Sequence, residues 1–116
     1  MDYSQLSDFE INKRVFKAIV GAKPLGYPHN ADGRSVGNEA NGNYRWYDYC
    51  NNPADAWPII TENNISIILN NPSMPCATDN ARDLFDDAGP NVGVAYDNPL
   101  RAAMIVFLMM QDANNA

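Results

Sequence analysis

NPLRAAMIVFLMMQ, residues 98–111, is the most constrained stretch of this sequence. Asn98 followed by Pro99 is typical of a helix start, with asparagine as the N-cap and proline at the first helical position. Residues 102–110 are all apolar, so the predicted helix has no polar face and must be buried in the domain or shared with a second subunit. Two arrangements stay open: packing on a sheet and on the first helix, or a homodimer contact. The residues proposed for a dimer contact are Met104, Leu108, Met109 and Met110.

Two further helices are predicted upstream. Ser7 and Glu10 have the spacing of a capping box, and the helix that they begin should end at residue 21 or 22. Asn52 and Pro53 repeat the cap-and-proline start and predict a helix over 53–63, which Pro58 should kink or split. The residues predicted to face the core are Ile11, Val15, Ala18, Ile19 and Ala22 in the first helix, and Ala56, Trp57, Ile59 and Ile60 in the second.

Short apolar segments at 65–69, 74–78 and 92–96 are predicted strands, and residues 44–50 predict an edge strand. The 116 residues of the chain allow a single domain, 1–116. Within it we expect a glycine- and asparagine-rich loop or insertion at about 23–43, which contains the hairpin-type dipeptide Asn41-Gly42. The order of the elements predicts an α+β fold.

Aromatic residues are concentrated in the edge segment: Tyr44, Trp46, Tyr47 and Tyr49. This pattern fits an amphipathic strand with one aromatic face in the core, a protein-interaction hot spot, or a stacking platform for single-stranded nucleic acid. The formal net charge of −6 and the sequence pI of 4.4 argue against direct nucleic-acid binding and against an anionic membrane surface as a partner. We therefore treat the four aromatic residues, with Met104, Leu108 and Met109, as candidate interaction residues.

Few groups are arranged for catalysis. His29, the single histidine, has no recognisable nucleophile motif beside it. The aspartates of the segment 83–87 resemble a Mg²⁺ or acid–base cluster, although such clusters are more often solvated turns. Cys50 and Cys76 match no zinc spacing and are expected to be free thiols. We expect no cofactor, no metal site and no enzymatic activity.

The sequence also bears on localisation. Residues 1–10 lack the basic and apolar regions of a signal peptide. The longest apolar run, 102–110, would rise only about 13 Å as a helix, far less than the ~30 Å of a bilayer core. We expect a cytoplasmic protein with no membrane partner.

Three stretches together resemble the NinX family of lambdoid phages and of prophages in enteric bacteria. They are MDYSQLSDFEIN at 1–12, DYCNNPADAWPII at 48–60 and NPLRAAMIVFLMM at 98–110. The pattern of elements is also similar to the broader phage α-β-α sandwich domains. The resemblance implies three helices packed on a small, mostly antiparallel sheet in an α-β-α sandwich-like single domain. It implies a phage accessory protein, expressed early in infection, and transfers no active-site residue.

Three hypotheses about function follow. The first is a non-enzymatic module that binds a host or phage protein through the aromatic segment or the last helix. The second is an acidic mimic of nucleic acid that occupies a host DNA-binding protein, which the charge of −6 permits. The third and weakest is a small metal-dependent hydrolase built from His29 and the segment 83–87.

Overall fold

Three helices and two small antiparallel sheets form the described part of the chain. The computed structural model describes residues 2–21, 33–40, 43–70, 76–82, 91–94 and 98–114. The helices are α1 (Asp8–Val20), α2 (Pro53–Glu62) and α3 (Pro99–Asn114), preceded by a 3-10 turn at Tyr3–Gln5. The strands are β1 (Val36–Ala40), β2 (Asn43–Tyr47), β3 (Ser66–Ile68), β4 (Cys76–Thr78) and β5 (Val92–Val94). The predicted α+β class is confirmed, with the strands divided between two sheets instead of one.

Helix α3 lies at the centre of the core. It packs on β3, β4 and β5 and on α1 and α2, and its residues from Ala102 to Leu108 are all buried. The approach to β5 is so close that a Cβ atom on Gly93 would lie 2.1 Å from the carbonyl oxygen of Ala102. The chain itself therefore covers the apolar helix, as in the first of the two predicted arrangements.

Helix α1 begins and ends as its sequence predicts. The hydroxyl of Ser7 accepts a hydrogen bond from the backbone N–H of Glu10 at 3.2 Å, and Gly21 closes the helix in the left-handed region with φ 75°. Ile11 and Val15 are fully buried. The predictions that Ala18 and Ile19 face the core are wrong, because the last turn of α1 borders an open groove and leaves both residues exposed, Ile19 by 47%. Ala22 lies outside the described residues.

Helix α2 confirms the predicted helix over 53–63 and differs from the prediction on its buried face. It runs from Pro53 to Glu62 without interruption, so of the kink or split expected at Pro58 the split does not occur. Trp57 was expected to face inward but is 61% exposed. The buried stripe of α2 passes through Ala56 and Ile60, and Trp57, about 100° around the helix from Ala56, falls outside it.

Helix α3 extends to Asn114, three residues beyond the stretch 98–111 that predicts it. The phenol of Tyr3 donates a hydrogen bond to the Asp112 carboxylate and ties this last turn to the start of the chain.

The two sheets have simple topologies. β1 pairs with β2 from Val36 opposite Tyr47 to Ala40 opposite Asn43, and the larger sheet has the order β3-β4-β5. The predicted strands at 65–69, 74–78 and 92–96 each contain one of β3, β4 and β5. β1 lies within the stretch 23–43 for which the sequence predicts a loop or insertion, and its first residue, Val36, is fully buried. Residues 22–32 and the dipeptide Asn41-Gly42 lie outside the described residues.

Candidate binding groove

A buried hydrogen-bond network fixes the turn that joins β2 to α2. Its centre is Asn12 of α1, which is fully buried. The Asn12 amide donates to Asp48 Oδ1 at 2.9 Å and to the carbonyl of Arg34 at 2.8 Å, and its oxygen accepts from the N–H of Cys50 at 3.1 Å. The other oxygen of Asp48 pairs with Arg34 Nε at 2.6 Å. One asparagine thus holds the start of β1 and the β2–α2 turn against α1.

The network continues to the start of α3. The amide of Asn51 donates to Asp8 and Asp48, each at 3.0 Å, and its oxygen accepts from Asn98 at 3.1 Å. Arg101 Nη1 pairs with Asp8 Oδ1 at 2.6 Å. The first turns of α1, α2 and α3 are therefore locked to one another by polar side chains.

This framework presents two stacked tyrosines beside α2. Tyr47 and Tyr49 are stacked in parallel, with ring centroids 5.6 Å apart and planes within 3°, and Phe16 of α1 supports Tyr47 at 5.9 Å. Tyr49 is only 4% exposed. Burial, followed by the neighbouring Tyr47 and Asp55, raises the pKa of Tyr49, so its phenol stays neutral at physiological pH.

The two tyrosines lie at one side of an open groove of about 560 Å³. The end of α1, the outer face of α2 and the last part of α3 form the other walls. The residues that line it are Ala18, Ile19, Val20, Tyr47, Tyr49, Ala54, Asp55, Pro58, Ile59, Glu62, Asn63, Phe107 and Gln111. Ile19 and Val20, 47% and 50% exposed, offer apolar area that no described element covers.

The charged side chains that line the groove are both carboxylates, Asp55 and Glu62 on α2. Asp55 accepts a hydrogen bond from the backbone N–H of Asp48 at 3.0 Å, whereas Glu62 is exposed at the end of the helix. The groove therefore combines an apolar, aromatic floor with an acidic wall. Such a surface favours an occupant that is mainly apolar and carries a positive charge where it meets α2.

Comparison with known protein families identifies the chain. The sequence profile of the family described as Bacteriophage P22, NinX matches residues 2–111. The chain belongs to the NinX family. No curated protein and no solved structure is detectably similar to it. The three NinX-like stretches of the sequence, at 1–12, 48–60 and 98–110, are the segments that meet in the polar network.

The aromatic interaction residues predicted for this NinX-family chain lie in different environments. Tyr47 and Tyr49 line the groove, while Trp46, which alternates with Tyr47 along β2, is half-buried on the other face of the strand. Tyr44 lies on β2, but its side chain is outside the described part of the structure. The structure therefore brings two of the four aromatic candidates together.

The candidates on α3 point mainly inward. Met104 is fully buried and Leu108 is 4% exposed, both within the chain's own core, and Met109 and Met110 are half-buried against it. A homodimer through this helix stays a prediction. Sequence reasoning missed the contribution of Ile19 and Val20 to the groove, although two bulky apolar residues directly before a helix-ending glycine are a usable signal.

The residues considered for chemistry are only partly described. His29 and the segment 83–87 lie outside the described residues. Within the described ranges no group of three or more His, Cys, Asp or Glu side chains is placed to hold a metal ion. Cys50 and Cys76 are buried thiols that form no disulfide, as predicted, and burial, with the charge of Asp8, raises the pKa of Cys50. None of the helices in the described part of the chain combines the length and apolar character needed to cross a membrane.

Proposed function

We propose that this member of the NinX family is a phage or prophage accessory protein that acts in the host cytoplasm as a non-enzymatic binding module. Its groove receives a segment of a host or phage protein. The observation that carries this proposal is the groove itself, which half-exposed Ile19 and Val20 line together with the stacked Tyr47 and Tyr49. Tyrosine is enriched at binding hot spots because it buries a large area with few rotatable bonds.

The size and charge of the groove support a protein segment as the occupant. A volume of about 560 Å³ accommodates a few side chains. Its apolar floor suits aliphatic or aromatic side chains, and its two carboxylates suit a lysine or arginine beside them. The polar network below the tyrosines holds this surface in place without a partner, which reduces the entropy lost on binding.

The test uses two matched variants that each place a glutamate at an exposed aliphatic position. Ile19→Glu changes the groove, and Leu69→Glu changes a residue that is 67% exposed after β3 and does not line the groove. Tagged wild-type and variant chains are used to capture proteins, after nuclease treatment, from enteric bacteria that carry a lambdoid phage. Any stoichiometric partner is then purified, and its dissociation constant is measured against all three chains.

We expect Ile19→Glu to weaken binding of the partner at least about tenfold. It removes the burial of the exposed half of Ile19, about half of the roughly 1.5–3 kcal/mol that full burial contributes, and it introduces a charge into the interface. Leu69→Glu should bind the partner as tightly as the wild type does. The free energy of unfolding of both variants should lie within about 0.5 kcal/mol of the wild-type value, because both positions are exposed. Equal binding by the two variants would show that the groove is not the binding site. Binding that falls steeply with added salt and ignores both substitutions would instead favour the acidic mimic of nucleic acid.

A further inference from the structure

A second cavity, of about 380 Å³, adjoins the groove across the seam between α1 and α3. Ala18 and Gln111 line both spaces, so they form the boundary between them. Beyond this boundary the walls carry Arg14 and Lys17 of α1. The charge of the lining therefore changes sign from the α2 wall of the groove to the second cavity.

The cations of this cavity are not neutralised within the described residues. The ion pairs among the described residues involve Lys13, Arg34 and Arg101. Neither Arg14 nor Lys17 takes part in one of them. Arg14 Nε is buried and lacks a hydrogen-bond partner in the described part of the structure. A buried guanidinium N–H without an acceptor costs free energy.

The one carboxylate among the described residues that line the cavity is already engaged. Asp112 accepts the hydrogen bond that Tyr3 donates, and no ion pair joins it to Arg14 or Lys17 among the described residues. The second cavity thus presents two cationic side chains beside an apolar groove.

We propose that the segment docked in the groove carries an acidic side chain, aspartate or glutamate, which crosses the seam at Ala18 and Gln111 and pairs with Arg14 and Lys17. This inference rests on the proposed function of the groove. A side chain can cross the seam while the backbone of the segment stays in the groove. The acidic residue of the segment then lies beside α1, and a basic residue of the segment lies beside Asp55 and Glu62. This arrangement gives the segment one electrostatically favoured orientation in the groove.

The probes are three hexapeptides with acetylated N-termini. The first is Lys-Ala-Leu-Leu-Ala-Glu with an amidated C-terminus, the second replaces its glutamate by glutamine, and the third is the glutamine peptide with a free C-terminal carboxylate. Each is titrated into the full chain in the millimolar range, and backbone NMR shifts of groove residues such as Ile19 and Phe107 give the dissociation constant. Arg14→Gln and Lys17→Gln are the test variants. Lys13→Gln, which removes the same charge from α1 outside the cavity, is the control.

We expect the glutamate peptide to bind roughly three- to fivefold more tightly than both glutamine peptides, the range of a partly exposed ion pair. This preference should disappear in Arg14→Gln and shrink in Lys17→Gln, and it should persist in Lys13→Gln. If all three peptides bind the wild type equally, the acidic subsite is refuted while the groove remains a binding site. If the free carboxylate replaces the glutamate in full, the assignment to a side chain is wrong. If no peptide shifts any groove residue, the proposed function itself fails.

Discussion

Asn12 is the polar residue on which the arrangement of the site depends most directly, and Asn12→Ala tests this. The substitution removes all three hydrogen bonds of a fully buried side chain. Asp48 keeps Arg34 and Asn51 as partners, so the loss of its hydrogen bond from Asn12 costs little free energy. The N–H of Cys50 loses its acceptor in a buried place, at about 1–3 kcal/mol, whereas the carbonyl of Arg34 is only partly buried and its loss of a donor costs less. We therefore expect a loss of about 2–4 kcal/mol in the free energy of unfolding.

The measurement is urea unfolding followed by circular dichroism, with the free energy extrapolated to water. Asn52→Ala is the matched control, because it also removes an asparagine, but one that makes a single exposed capping bond to the N–H of Ala54. The control should cost about 1 kcal/mol. A domain of this size is stable by roughly 6–17 kcal/mol, so Asn12→Ala should remain folded but show a clearly lower midpoint.

The slope of the unfolding transition must stay the same in both variants for the comparison to hold. If Asn12→Ala costs no more than Asn52→Ala, the three bonds do not stabilise the β2–α2 turn, and the view that the network preforms the groove is refuted.

Two further outcomes follow from other contacts. Gly93→Ala should lower the free energy of unfolding, measured by heat or urea, by about 3 kcal/mol or more, because its Cβ would overlap the carbonyl of Ala102. Gly21→Ala is the control: its Cβ would meet nothing within 4 Å, and the cost of its φ of 75° should be only about 1–2 kcal/mol. Burial and the hydrogen bond to Asp112 raise the pKa of Tyr3 to about 12. The protonated phenol is therefore favoured by folding, so the stability that Tyr3→Phe removes should be fully present below pH 10 and vanish as the pH rises through 12. Equal pH dependence of the wild type and Tyr3→Phe over this window would contradict the assignment.

Local signals in the sequence predicted the helices well. Each of these signals lies within one or two helical turns of sequence, so the local sequence contains the whole signal. The signals are the capping box at Ser7, the asparagine caps before α2 and α3, and the apolar run of α3. The α+β class followed from the order of these elements and from the family resemblance.

Positions that depend on distant neighbours were predicted less well. Ile19 continues the apolar stripe of Ile11 and Val15, but periodicity gives the face of a residue and not whether another element covers that face. The same limit applies to Trp57, whose environment depends on where α2 meets the core. β1 was missed because its pairing with β2 supplies the stability that its own sequence, VGNEA, does not indicate.

The polar network had a partial signal in the sequence. Asn12 lies beside Ile11 and one turn from Phe16, on the buried face of α1, where an asparagine requires partners. Its partners Arg34, Asp48 and Cys50 come from segments 22 to 38 residues away, and their identity could not be read from local spacing. The cavity at Arg14 and Lys17 likewise appears only once α3 is placed against α1.

The central position of α3 has a consequence for the order of folding. Helices α1 and α2 and the sheet β3-β4-β5 all pack on this helix, yet it follows all the other elements along the chain. These elements therefore lack a shared core until α3 is made, and Arg101 reaches Asp8 only by closing a loop of more than ninety residues. Contacts so distant in sequence slow folding, because the entropy of loop closure is lost before the contacts form. During synthesis the apolar faces of α1 and α2 therefore stay exposed until α3 is made. In this interval they can bind chaperones or aggregate.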